Sequence, residues 1–191
     1  MCKTIFLIAF GFMSVAQASE MRIFDEEGCQ LQCTDHLEDI ARVLHQYGVR
    51  FEQWDASFPF STNASETDVL AAYQPHIESL QQKEGFQSVD VIRITPDTPQ
   101  IQMLRAKFLQ EHTHDDAEIR FFVEGSGAFY LHIDKQVLRL LCERGDLISV
   151  PAGVRHWFDI GKVPLFTAIR FFTSPDGWVA RYTNDSIAER F

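Results

Sequence analysis

The stretch "FLQEHTHDDAEIRFFVEG", Phe108 to Gly125, decides the reading of this chain. It sets His112, His114 and Glu118 within seven positions and follows them with Arg120. Two positions apart on an extended segment, both imidazoles project to one side, whereas on a helix they would diverge by about half a turn. The spacing therefore predicts a strand. The same alternation puts Glu118, Arg120 and Phe122 on one face of the strand that follows. Two histidines and a carboxylate form the facial donor set of non-heme iron(II). The helical spacing of a zinc protease, with histidines four apart, is absent.

A further nitrogen donor should come from His132 or His156. His156 is favoured because "GDLISVPAGVRHW" reads as a strand, a Pro-x-Gly turn and then the histidine. His132, in "FYLHIDK", leads into a turn at Asp134 and reads as an exposed or locally bonded polar residue. His36, His45 and His76 fall on predicted helices and are given no chemistry.

Outward from this stretch the texture is of short strands broken at "EGSG", "HIDKQ", "ERGD", "PAGVRH" and "SPDG", which predicts a mainly β domain, a small antiparallel barrel or jelly roll. Upstream, "TDHLEDIARVLHQYG" predicts a helix capped by Asp35, with Glu38 as its capping-box partner and Gly48 as its stop. A second helix is predicted over Ser65–Lys83, capped by Ser65, ended by Gly85, and kinked or restarted at Pro75. "SVDVIRITPD" alternates like a strand, and "PQIQMLRAKFLQEH" predicts a short helix begun at Pro99 that delivers the chain to the histidines.

The 191 residues, 46% hydrophobic and with 17 phenylalanines, are enough for one compact domain with an aromatic core. A formal charge of -10 with scattered Lys and Arg excludes a phosphate-binding stripe, so nucleic acid is not expected as a partner. No apolar run reaches the ~18 residues of a membrane span. Residues 1–20 carry the parts of a secretory leader: Lys3, the apolar run Ile5 to Met13, and Ala16-Gln17-Ala18 ahead of Ser19. The alternative is a start at Met21. Apart from Cys2 the cysteines are Cys29, Cys33 and Cys142, an odd number. They read as free thiols, although Cys29 and Cys33 could bridge in an oxidising compartment.

The run His112-x-His114-x3-Glu118-x6-Gly125 resembles the first cupin motif, and Gly145-x5-Pro151-x-Gly153-x2-His156 resembles the second, with Ile160 where the pattern usually has Asn. The resemblance implies a cupin double-stranded β-helix with N-terminal helices packed outside. More narrowly, "EHTHDDAEIRFFVEGSGAFYLHI", "LCERGDLISVPAGVRHWFDIG" and "FTAIRFFTSPDGWVARYTNDSIAERF" resemble acireductone dioxygenases of bacterial type, and "VRFEQWDA" and "GFQSVDVI" extend the likeness. It covers roughly residues 21–191 as one domain and leaves 1–20 as an extension, which favours a cytoplasmic protein starting at Met21 over an exported one.

The resemblance implies an enzyme of methionine salvage. It would cleave 1,2-dihydroxy-3-keto-5-methylthiopentene with O2, giving 4-methylthio-2-oxobutanoate and formate with iron(II), or 3-methylthiopropionate, formate and carbon monoxide with nickel(II). One metal per monomer would be held by His112, His114, Glu118 and His156. Arg120, on the face of Glu118, would stabilise the substrate dianion, the plainer reading being an ion pair with a neighbouring acid. Phe108 and Phe158 would approach the apolar tail of the substrate, and otherwise are simple core. Arg170 would support the Arg120 region or a distal substrate oxygen. Glu111 would assist metal loading, or else is a solvated acid. The rivals are a metal-binding storage or sensor module, which predicts a damaged ligand set, and another cupin enzyme, which needs a phosphate clamp or a larger aromatic pocket. No partner surface is evident, so a monomer is expected.

Overall fold

A computed structural model gives the fold and describes residues 18–61, 64–174 and 178–191. Period-two alternation dominates the second half of the chain, and it produces strands whose inward residues meet across two facing sheets. The strands are β1 (Glu20–Asp25), β2 (Gln30–Thr34), β3 (Arg50–Gln53), β4 (Ser88–Ile94), β5 (His112–Thr113), β6 (Glu118–Gly125), β7 (Gly127–Ile133), β8 (Gln136–Cys142), β9 (Asp146–Val150), β10 (Arg155–Asp159), β11 (Phe166–Phe172) and β12 (Arg181–Tyr182). One sheet runs β12-β5-β10-β7-β8-β1-β2 and the other β3-β9-β6-β11-β4. The pairings within both are antiparallel. This is the expected jelly-roll barrel.

Alternation along β6 shows how the sequence sorts its faces. Phe122 joins Phe129, Leu131, Phe158, Phe166 and Ala168 in the core between the sheets. Ile119, Phe121 and Val123 point the other way, onto Val69, Tyr73, Ile77 and Leu80. Those residues belong to helices α2 (Glu66–Ala72) and α3 (Gln74–Glu84) and, for Tyr73, to the junction between them, and the two helices cover the outer face of the five-stranded sheet. Ser65 caps α2 through a reciprocal box with Asp68, and Pro75 in the first turn of α3 marks the predicted restart. Gly85, in the left-handed region at φ 72, ends α3.

Two expectations need correction. Helix α1 (Leu37–Gln46) has His36, not Asp35, at its N-cap, and no side chain caps it; Thr34 Oγ1 instead accepts from His36 N at 3.2 Å. It packs on the barrel through one face, whose Ile40, Val43 and Leu44 join the central core. Helix α4 (Ile101–Phe108) starts two positions after Pro99, since Gln100 stands at φ 55 and a left-handed residue cannot lie inside a right-handed helix. Arg105 of α4 makes a two-pronged bond to Asp159, 2.8 Å at each contact, and so ties the approach to the histidines onto β10.

The leader-like reading of residues 1–20 falls mostly on 1–17, outside the described residues. The folded unit includes Ser19, which is buried and donates to Asp146 Oδ2 at 2.7 Å, and Glu20, which opens β1. Cys29 and Cys33 are exposed free thiols, and Cys142 is a buried one. Among the described residues no helix is long and apolar enough to cross a membrane.

Candidate metal centre

Strand pairing assembles the site from both sheets. In the seven-stranded sheet, β5 lies beside β10 with His112 opposite His156. From the five-stranded sheet, Glu118 enters at the start of β6, where it pairs with Val150 at the end of β9. His114, one residue beyond β5, completes the group. One donor atom from each of His112, His114, Glu118 and His156 lies within 4.8 Å of all the others. The three imidazole rings stand 4.5 to 5.2 Å apart between centroids.

Backbone carbonyls fix which nitrogens are available. His112 Nδ1 lies 2.7 Å from Gln110 O, His114 Nδ1 3.0 Å from Val179 O, and His156 Nδ1 2.8 Å from Val154 O. A carbonyl only accepts, so each Nδ1 carries a proton and each neutral ring turns the lone pair of its Nε2 inward. Glu118 Oε2 stands 3.0 Å from both His114 Nε2 and His156 Nε2. A carboxylate facing lone pairs at that distance is repulsive unless a metal ion, or in its absence a proton, lies between them. Three neutral nitrogens and one carboxylate, pre-oriented in this way, fit a divalent ion of the first transition row.

The local electrostatics agree. Burial, then the neighbouring His156, pushes His112 down to about 4, so it is neutral at pH 7. Burial also pulls on His114, but the hydrogen bond and charge of Glu118 outweigh it and leave His114 raised on balance. Burial favours the protonated form of Glu118, yet Arg120, His114 and His156 together hold the carboxyl well below its ordinary range.

Arg120 is the other buried charge. Its side chain is 6% exposed, and its Nε lies 2.6 Å from Glu118 Oε1. The contact is ionic without being a directed hydrogen bond: among the described residues neither Nε nor Nη1 has a hydrogen-bond partner. Burial lowers the affinity of the guanidinium for its proton, against the pull of Glu118. Aromatic rings enclose it, with Cζ 4.6 Å from the centroid of Phe158, 5.1 Å from Phe129 and 5.8 Å from Trp178.

Comparison with known proteins fits this geometry to a family. The sequence model of the ARD/ARD' family matches residues 20–180. The chain belongs to the ARD/ARD' family. It is similar to an acireductone dioxygenase of Stutzerimonas stutzeri, 54% identical over 161 residues that cover 84% of this chain and 89% of the relative. It is also similar to one of Parvibaculum lavamentivorans, 56% identical over 153 residues that cover 80% and 83% respectively. A solved acireductone dioxygenase from Bacillus anthracis, with a cadmium ion in its active centre, superposes with a TM-score of 0.77 at 29% identity, covering 88% of this chain and all of that one.

The remaining residues singled out from the ARD/ARD' resemblance fall in three places. Phe158 is buried beneath Arg120, and Phe108 packs edge-on against it with centroids 6.2 Å apart. Arg170 lies opposite Arg120 on β11, but its guanidinium is committed to Asp90, with Nε 2.7 Å from Oδ1. Its contact with the Arg120 region is through the Trp178 ring, whose centroid lies 5.5 Å from Arg170 Cζ and 5.8 Å from Arg120 Cζ. Glu111 is 2% exposed, so it is not a solvated acid. It belongs to the outer face, because alternation sends its side chain away from His112, and there its Oε1 lies 2.7 Å from His132 Nδ1.

His132 departs from its expectation for the same reason. It is 5% exposed and faces outward on β7, between Glu111 and Glu26. Sequence reasoning also missed Trp178. Its ring lies 5.9 Å from that of His114, and its Nε1 donates to Ala117 O at 3.1 Å. The signal available was an isolated tryptophan in a chain of only three, within a polar C-terminal stretch.

Proposed function

We propose that His112, His114, Glu118 and His156 hold one divalent metal, iron(II) or alternatively nickel(II), and that Arg120 receives the deprotonated substrate beside it. The chain is a dioxygenase of methionine salvage that acts on an acireductone. The observation that carries the assignment of Arg120 is its buried Nη1, which has no hydrogen-bond partner among the described residues and lies in the side chain that pairs with Glu118 through Nε. A desolvated guanidinium with free donors is costly alone and favourable against an anion. The acireductone becomes that anion once its enediol protons leave.

Bound there, a divalent ion supplies Lewis acidity that brings the enediol acidity into the neutral range. The chain's own residues do the rest. The four protein donors would hold the ion and leave it able to take oxygens of the substrate as well. Arg120 offsets the charge of the dianion. Phe158, Phe129 and Trp178 keep water from the guanidinium, which strengthens that attraction. Phe108 extends the apolar wall toward the methylthio tail.

With iron(II) the products are expected to be 4-methylthio-2-oxobutanoate and formate, and with nickel(II) 3-methylthiopropionate, formate and carbon monoxide. The reading extends to a cytoplasmic monomer whose folded unit includes Ser19 and Glu20. Parallel metal analysis and oxygen uptake on His112→Ala test the ligand set. Both should vanish together. Full metal content with unchanged uptake would remove His112 from the site.

A further inference from the structure

Thr183 and His132 carry no role in the site described above, yet both are bound to the residue next to a proposed metal donor. Glu111 O accepts from Thr183 N at 3.1 Å, and the Glu111 carboxylate accepts from Thr183 Oγ1 through Oε2. The other oxygen, Oε1, lies 2.7 Å from His132 Nδ1, and His132 Nε2 lies 3.0 Å from Glu26 Oε1. Glu111 has no exposed side-chain surface and His132 only 3%, so the middle of this chain of contacts is shut off from water, while the Glu26 side chain at its end is 39% exposed. Buried polar contacts of this kind are costly to break singly, because each partner left behind is unsatisfied.

What the chain holds is the C-terminal segment. Residues 178–183 meet the barrel along the two-residue β12, with Arg181 opposite Thr113 and Tyr182 opposite His112. Their other polar anchors include the exposed Arg181–Asp115 pair, the Trp178 bond to Ala117 O and the contact of Val179 O with His114 Nδ1. That segment supplies two things to the site: Val179 O, which fixes the ring of His114, and the Trp178 ring against His114 and Arg120. Of its polar anchors, Thr183 on Glu111 is the one with a fully buried side-chain partner.

We propose that Thr183 and His132, acting through Glu111, form a latch on the outer face of the seven-stranded sheet that positions His114 for the metal. Neither residue touches metal or substrate. Both are positioning residues: Thr183 acts on His114 through the chain to Val179 and its hydrogen bond, and His132 acts through Glu111 and Thr183 in turn. The proposal rests on the ligand assignment made above.

The test is metal retention and ligand field. Thr183→Val is nearly isosteric and removes the hydroxyl, Thr183→Ser restores it, and His132→Gln shortens the bridge to Glu26. Each protein is loaded with cobalt(II). The visible spectrum and the rate of loss to a chelator are recorded, together with thermal unfolding of the metal-free form. Partners that orient a ligand are typically worth 10- to 100-fold in metal affinity. We expect roughly 10-fold faster loss and an altered spectrum in Thr183→Val and His132→Gln, with the Thr183→Ser values at those of the parent.

Unchanged spectra and loss rates in both altered proteins overturn the latch, and they do so equally if metal-free unfolding is lowered, which marks a structural contact only. Should His132→Gln fail to fold, the Val and Ser pair at 183 decides. Failure of the ligand assignment looks different: the parent protein itself would then bind no stoichiometric cobalt(II).

Discussion

Replacing Arg120 with Met removes the guanidinium while keeping most of its volume among Phe129, Phe158 and Trp178. Two effects follow, and they separate. Without metal, Glu118 is left as a buried carboxylate, 2% exposed, that has lost its ion-pair partner. Breaking such a pair costs about 3–5 kcal/mol of stability. A divalent ion on Glu118 takes over that compensation, so the metal-loaded protein should lose markedly less, and metal affinity should not fall. The substrate dianion has no such replacement. At roughly 4 Å and an effective dielectric of about 20, a unit charge pair is worth about 4 kcal/mol, or nearly a thousandfold in rate. The assays are denaturant unfolding with and without metal, metal content, and oxygen consumption with saturating acireductone. Unchanged turnover in metal-replete Arg120→Met would refute the dianion role, and equal destabilisation with and without metal would refute the electrostatic account of Glu118.

Three further outcomes are expected. A Cβ at Gly127 would stand 2.2 Å from Phe158 Cζ, so Gly127→Ala must displace the ring that lies against Arg120; about 1–3 kcal/mol of stability and much of the turnover should be lost, and full activity would show that the ring is free to yield. Burial raises Asp146 to about 6 and, with the charge of Asp146, raises Glu143 to about 7. A carboxyl whose folded pKa lies above its unfolded value stabilises the protonated fold. The stability of the parent relative to Asp146→Asn should therefore fall by up to about 3 kcal/mol as pH rises from 4 to 6 and level off above; a difference independent of pH would contradict this. Cys142 lies in the central core with its thiol held protonated by burial, so Cys142→Ala should lose about 1 kcal/mol and keep its activity, measured by unfolding and oxygen uptake.

That His112, His114 and Glu118 come together was legible because local spacing encodes it. His112 and His114 share a side of a strand whatever that strand pairs with, and Glu118 and Arg120 likewise. Ser65 and Pro75 announce α2 and the restart of α3 through local chemistry alone. What escaped depends on pairs far apart in sequence. His132 looked like a turn residue until β7 was set beside β10 and its outward face met Glu111, 21 positions away. The approach of Trp178 to His114 needs the C-terminal segment to return to β5. The commitment of Arg170 to Asp90 needs β11 to lie beside β4. The N-cap of α1 was misplaced for the opposite reason: Asp35 has the right chemistry, but Thr34 serves the neighbouring N–H and the helix begins one residue later.

The most direct test of the account uses protein stripped of metal and reconstituted without oxygen, with iron(II) in one sample and nickel(II) in another. Each receives the acireductone and limiting O2, and bound metal, formate, 2-oxo acid and carbon monoxide are quantified. The account predicts one metal per chain, oxygen consumption with formate in both samples, and carbon monoxide with nickel(II) alone. Stoichiometric metal on His112, His114, Glu118 and His156 with no oxygen uptake above the uncatalysed rate would contradict it.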